Sequence, residues 1–227
     1  MVTSKFFQRF LKGIRLLVER GLPLKFKTKA MNVNQHELDQ IKAFVKGLGT
    51  QFHYSAEIYP RLDGDLTPTR YRLSPEEIIA LENSENQSEQ DAETCAAKRE
   101  AVLGLPPDDH LFRCGCGTTA VHISAWGKLG ACTWVNEPRA DIRQQSVAES
   151  IAEVFPQIRN ARYQGDTPCR SCHVHSLCDK MPANAGAETG DPEQPVEHFC
   201  RVAYQRAHQM GIPGECPVGL REEKVND

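Results

Sequence analysis

The sequence predicts an α/β amino-terminal half joined to a cysteine-rich α+β half, and three observations carry that prediction. Helix-period and strand-period segments alternate through residues 4–81. Eight of the nine cysteines lie beyond residue 110. Three of those eight form the run Cys169-x2-Cys172-x5-Cys178.

From Ser4 to Arg20, Phe7, Phe10, Leu11, Ile14, Leu17 and Val18 fall on one helical face. Gly21 and Pro23 stop that helix. Leu24, Phe26 and Thr28 then alternate with Lys25, Lys27 and Lys29 as a strand. Asn34 and Glu37 have the spacing of a capping box, which predicts a helix to about Leu48 with Leu38, Ile41, Phe44, Val45 and Leu48 inward. A second strand follows over 51–58, and the helix–strand rhythm predicts parallel pairing. Four elements neither close a barrel nor cover a sheet, so the sheet edge is expected to need a partner. Ser74-Pro75-Glu76-Glu77 opens a third helix, closing near Leu81.

Residues 82–111 read as a bridge, polar at first and broken at Pro106-Pro107. Residues 112–209 form the cysteine-rich domain. In it, Thr119 to Trp126 and Ala131 to Val135 read as a hairpin turning at Gly127-Lys128-Leu129-Gly130. A helix spans Ser146 to Phe155 and is expected to end at Pro156. A Pro/Gly/Ala-rich loop from Met181 to Pro195 precedes a last helix from about Val196 to Gln209. Residues 210–227 read as an irregular tail.

Charge and hydropathy exclude several classes. A net charge of −3 offers no basic field for nucleic acid, and no apolar run approaches the roughly 18 residues that cross a bilayer. The charged first helix lacks the apolar centre of a secretory signal, so a cytoplasmic chain is expected. An odd cysteine count and C-x2-C spacing favour metal ligation over disulfides.

Thiolates two residues apart turn to one side of a tight loop, so Cys169, Cys172 and Cys178 suit one metal or cluster. With Cys114, Cys116, Cys132 and Cys200 the second half offers seven thiols. That fills one four-iron cluster and leaves a second one ligand short. Two zinc sites completed by histidine use the same donors, and a zinc knuckle stays open on spacing alone. Cys95 and Cys216 fall outside the pattern and read as unligated thiols. Asp63 and Asp65 read as turn residues. His122 reads as a surface or hydrogen-bonded residue.

The register Cys116-x10-Gly127-x4-Cys132, then Cys169-x2-Cys172-x5-Cys178, then Cys200 resembles the SPASM domain. That domain forms the carboxy-terminal part of many radical S-adenosylmethionine enzymes that modify peptides and proteins. The resemblance covers about Phe112 to Arg206. More weakly, residues 4–81 resemble the closing units of the radical SAM partial (β/α) barrel, through the Asn34/Glu37 start and the loop Arg61-Leu62-Asp63-Gly64-Asp65. It implies one or two auxiliary [4Fe-4S] clusters, with Cys169, Cys172, Cys178 and Cys200 at the outer one and Cys114, Cys116 and Cys132 at the inner one. The family's fourth inner ligand falls at Pro182. Either an iron stays open there, or Asp179, His173, His175 or Cys216 substitutes. The catalytic triplet C-x3-C-x2-C is absent from the sequence. The resemblance therefore implies the auxiliary-cluster portion of a maturase, from a truncated or split gene. It would act on a peptide or protein substrate, with S-adenosylmethionine entering only through a radical SAM half or partner chain. A stand-alone iron–sulfur protein for electron transfer or substrate binding, and a zinc-stabilised binding module, are the alternatives.

Overall fold

The computed structural model describes residues 5–86, 99–104 and 108–218. Cys95 and the Pro106-Pro107 break lie outside them. The chain divides into two compact units near Ile58, with Tyr71–Leu73 belonging to the first.

In the first unit, α1 (Lys5–Glu19) leads through Gly21, at φ 65°, to strand β1 (Lys25–Lys29). Helix α2 (Leu38–Gly47) and strand β2 (Gln51–Ser55) follow. The strands pair in parallel with Phe26 opposite Phe52, as the alternating elements predict. The lysines of β1 face outward, and Lys29 bonds Glu57 at 3.2 Å. Two expectations fail locally. Asn34 caps no helix: its Oδ1 accepts from Met31 N at 2.8 Å and its Nδ2 donates to Lys29 O at 3.0 Å, so it ties the β1–α2 loop to itself. Only Leu38 and Val45 of the α2 face are buried, and Phe44 is exposed, as are Phe7, Phe10 and Leu17 of α1.

The second unit begins with a hydrogen-bonded turn. Asp63 accepts from Asp65 N, and Asp65 accepts from Thr67, so turn geometry accounts for both carboxylates. Helix α3 (Pro75–Asn86) carries the predicted box, with Ser74 N donating to Glu77 at 2.7 Å and Glu77 N to Ser74 Oγ at 3.1 Å. The helix runs past Leu81, and it packs on the last helix, α6 (Glu197–Gln209), rather than with the amino-terminal elements.

The hairpin is shorter and differently placed than predicted. β3 (His122–Ile123) pairs with β4 (Lys128–Gly130) around Gly127, at φ 74°, and a third strand, β5 (Ala140–Asp141), joins β4. Residues 131–135 are irregular instead of extended. Helix α4 (Val147–Arg159) passes through Pro156. Proline forfeits one amide bond there, but Val154 and Ile158 are fully buried and hold the last turn. Leu129, Ala140 and Val154 pack the β-sheet onto α4. Within the stretch read as loop, helix α5 (Pro182–Thr189) forms, with proline in its first turn and Gly190 at its left-handed end. No described helix is long and apolar enough to cross a membrane.

Candidate metal centre

The hairpin and α4 bring Cys114, Cys116 and Cys132 together. Cys116 is buried in a cluster with Ala131, Val135 and Ile158, against which Cys132 and Ala183 pack. The Cys116 thiol contacts both neighbours. That contact holds Cys114 and Cys132 down at about 6, while the pKa of Cys116 itself rises. Amides of Val135 and Trp134 also favour the Cys132 thiolate. Ala183 places the start of α5 at this group, so Pro182 lies where the resemblance puts a fourth ligand and supplies none.

A second group forms around α6. Cys200 is buried with Val174, Ala203, Tyr204 and Ile212, and Cys172, Cys178 and Cys216 pack against them. Burial pushes Cys178 up to about 12, and burial likewise raises Cys172 and Cys200. Cys169 interacts electrostatically with Cys172 and Cys178. A cavity of about 590 Å3 is lined by Cys114 of the first group and by Cys169, Cys172 and Cys178 of the second, together with Tyr59, Tyr163 and Pro182.

Several residues that the spacing did not single out hold the thiol loops. Arg113 donates to the carbonyls of Cys169 at 3.4 Å, Arg170 at 2.7 Å and His110 at 3.2 Å, and also to Asp108 O. One guanidinium therefore ties the segment before Cys114 to the loop of Cys169. Glu193 accepts from the amides of Gln164 at 2.8 Å and Gly165 at 2.7 Å, and its carbonyl accepts from buried Thr167 at 3.0 Å. Thr167 in turn accepts from Cys169 N at 3.3 Å. Arg206 brackets Cys178, donating to Leu177 O and Asp179 at 2.7 Å each while Glu82 of α3 meets it at 2.6 Å. A sequence signal existed only for α5, in Pro182 and Gly190 flanking an alanine-rich stretch. The arginines and Glu193 act across gaps too long for any local pattern.

The substitute ligands considered for the first group have other partners, although Asp179 and His175 line the same cavity as Cys114. Asp179 is paired with Arg206, and His173 bonds Pro213 O at 3.2 Å. His175 bonds Cys172 O at 3.0 Å, and Cys216 joins the second group. His122 departs from the expectation of a surface or hydrogen-bonded residue, since its Nδ1 is buried without a hydrogen-bond partner.

All eight described cysteines are free thiols. Among the described residues, the one set of three His, Cys, Asp or Glu ligand atoms all within 4.8 Å of each other is Asp108, Asp109 and His110. Its members are engaged, Asp108 with His110 and Asp109 with Arg162 at 3.0 Å. Among the described residues no three thiols converge that closely. The soft donor set fits iron–sulfur clusters and zinc alike.

The metal-free chain is expected to alkylate at Cys114 well before Cys178. Cys114 is exposed, and its lowered pKa leaves thiolate in place down to about pH 6, whereas Cys178 stays protonated at neutral pH. Timed iodoacetamide quenching with peptide mapping at pH 7 checks the order, expected to differ by at least about tenfold in rate.

Comparison with protein-family models and with curated proteins finds no match for this chain.

Proposed function

We propose that this chain is the auxiliary iron–sulfur portion of a radical SAM/SPASM-type enzyme that modifies a peptide or protein. The observation that carries the reading is the pair of thiol groups, each assembled from distant segments and both lining one cavity. When bound, such clusters accept and donate single electrons. The chain's own residues would hold them: Cys114, Cys116 and Cys132 on one side, and Cys169, Cys172, Cys178 and Cys200 on the other. Arg113, Glu193 and Arg206 fix the loops that present these sulfurs, and the packing of Val174, Tyr204 and Phe199 keeps water from the second group. The radical SAM half and its S-adenosylmethionine would be supplied by a further segment or a partner chain, and the parallel pair β1–β2 suits the end of a partial barrel. Free thiols suit a reducing cytoplasm.

Anaerobic reconstitution with ferrous iron and sulfide tests the reading. A brown protein with roughly equal iron and acid-labile sulfide and a cubane Mössbauer signature supports it. A colourless protein that takes up stoichiometric zinc and no sulfide would overturn it in favour of a zinc-stabilised module.

A further inference from the structure

Cys216 lies outside the seven-cysteine register, yet the fold carries it into the second thiol group. The chain leaves α6 at Met210 and turns at Gly211, whose φ is 68°. Ile212, 1% exposed, anchors the return by donating to Ala207 O at 2.9 Å. The rings of His208 and His173 then bond the carbonyls of Gly214 at 2.6 Å and Pro213 at 3.2 Å. Gly214 takes a φ of 136°, and a Cβ there would meet Tyr204 Cε1 at 2.9 Å and the His173 ring at 3.2 Å. Glycine alone permits that close approach at that backbone angle. The path ends with the Cys216 thiol against that of Cys200, in the packing cluster that also holds Cys172 and Cys178.

The placement of Cys169 is different. It is not among the residues packed into that cluster. It stands between the two groups: it shares the wall of the 590 Å3 cavity with Cys114 as well as with Cys172 and Cys178, with which it interacts electrostatically, and its carbonyl is held by Arg113, the neighbour of Cys114. Two four-iron clusters take eight thiolates, and of the nine cysteines in the sequence the eight within the described residues all lie in the second unit. The register implied by the resemblance leaves the first centre one short at Pro182.

We propose that Cys216 is a ligand of the second centre, whose set is Cys172, Cys178, Cys200 and Cys216, and that Cys169 completes the first with Cys114, Cys116 and Cys132. The inference rests on the iron–sulfur reading above and changes one assignment in it, moving Cys169 from the second set to the first. It offsets the proline at position 182 with a thiol brought in from the segment after α6.

The test compares iron, sulfide and Mössbauer spectra of the reconstituted full chain with those of C216A, C169A, C169A/C216A and C200A/C216A. C216A is expected to lose about half of the iron and sulfide. C169A/C216A is expected to lose nearly all of it, because the two substitutions strike different centres. C200A/C216A is expected to lose no more than C216A. Full iron content and an unchanged spectrum in C216A overturn the inference alone, as does a C169A/C216A variant no worse than C169A. A wild-type chain that takes up no sulfide overturns the iron–sulfur reading and the inference with it.

Circular dichroism of the metal-free variants separates ligand loss from misfolding. A second measurement needs no substitution: Cys216 and Cys169 are expected to alkylate in the metal-free native chain and to be protected in the loaded one. Alkylation of Cys216 at an unchanged rate in the loaded protein overturns the inference.

Discussion

Cys178→Ala is expected to bind about half the iron and sulfide of the unmodified chain after anaerobic reconstitution, the same loss as Cys200→Ala. Cys178 sits where two packing clusters meet, against Val174 and Cys200 on one side and Ala185, Val196 and Phe199 on the other. Its thiol points at Phe199 O at 3.7 Å, a weak bond whose removal costs the metal-free fold on the order of 1 kcal/mol. Burial holds the thiol protonated up to about pH 12, so ligation must expel that proton and uptake is coupled to proton release. Thermal unfolding with and without reconstitution separates the two contributions. The metal-free midpoint is expected to move little, and the gain on loading is expected to shrink markedly. An iron content equal to wild type would remove Cys178 from the ligand set.

Arg206→Met is expected to destabilise the metal-free chain by about 3 kcal/mol, measured by urea unfolding. The guanidinium stands between Glu82 and Asp179 and also satisfies Leu177 O. Burial alone would lower its pKa, but the two carboxylates outweigh that and raise it, so it stays charged. Methionine preserves the packing volume and leaves two partly buried carboxylates and a carbonyl without their partner. The lower end of the cost for breaking a buried pair applies, because both carboxylates retain 30% exposure. Arg206→Lys keeps the charge without the fork and is expected to recover about half of the loss. Since Leu177 and Asp179 flank Cys178, weaker iron uptake is expected to accompany the methionine variant. A variant as stable as wild type would show that solvent screens the pair fully.

Legibility followed interaction range. Parallel pairing of β1 and β2 followed from alternating helix and strand periods, and the Ser74–Glu77 box from a three-residue spacing. Asn34 carried the same spacing signal and failed, because the β1–α2 loop offered its side chain nearer partners at Lys29 and Met31. Pro156 reads as a stop in isolation, yet burial of Val154 and Ile158 outweighs one lost amide bond. The short strands β3 and β5 have too few residues to show alternation.

For the candidate centre, the proposed chemistry was legible in the sequence alone: C-x2-C-x5-C and the glycine-spaced pair at Cys116 and Cys132 supply soft donor groups at ligand spacing, because spacing along a tight loop is a local property. Which thiols stand together was decided by tertiary structure. The return of the chain over His173, permitted by Gly214, moves Cys216 from an apparent tail into the group around Cys200. The salt bridges of Arg206 and the carbonyl fork of Arg113 join segments dozens of residues apart. Such contacts arise from packing between elements, and no periodicity in the chain encodes them.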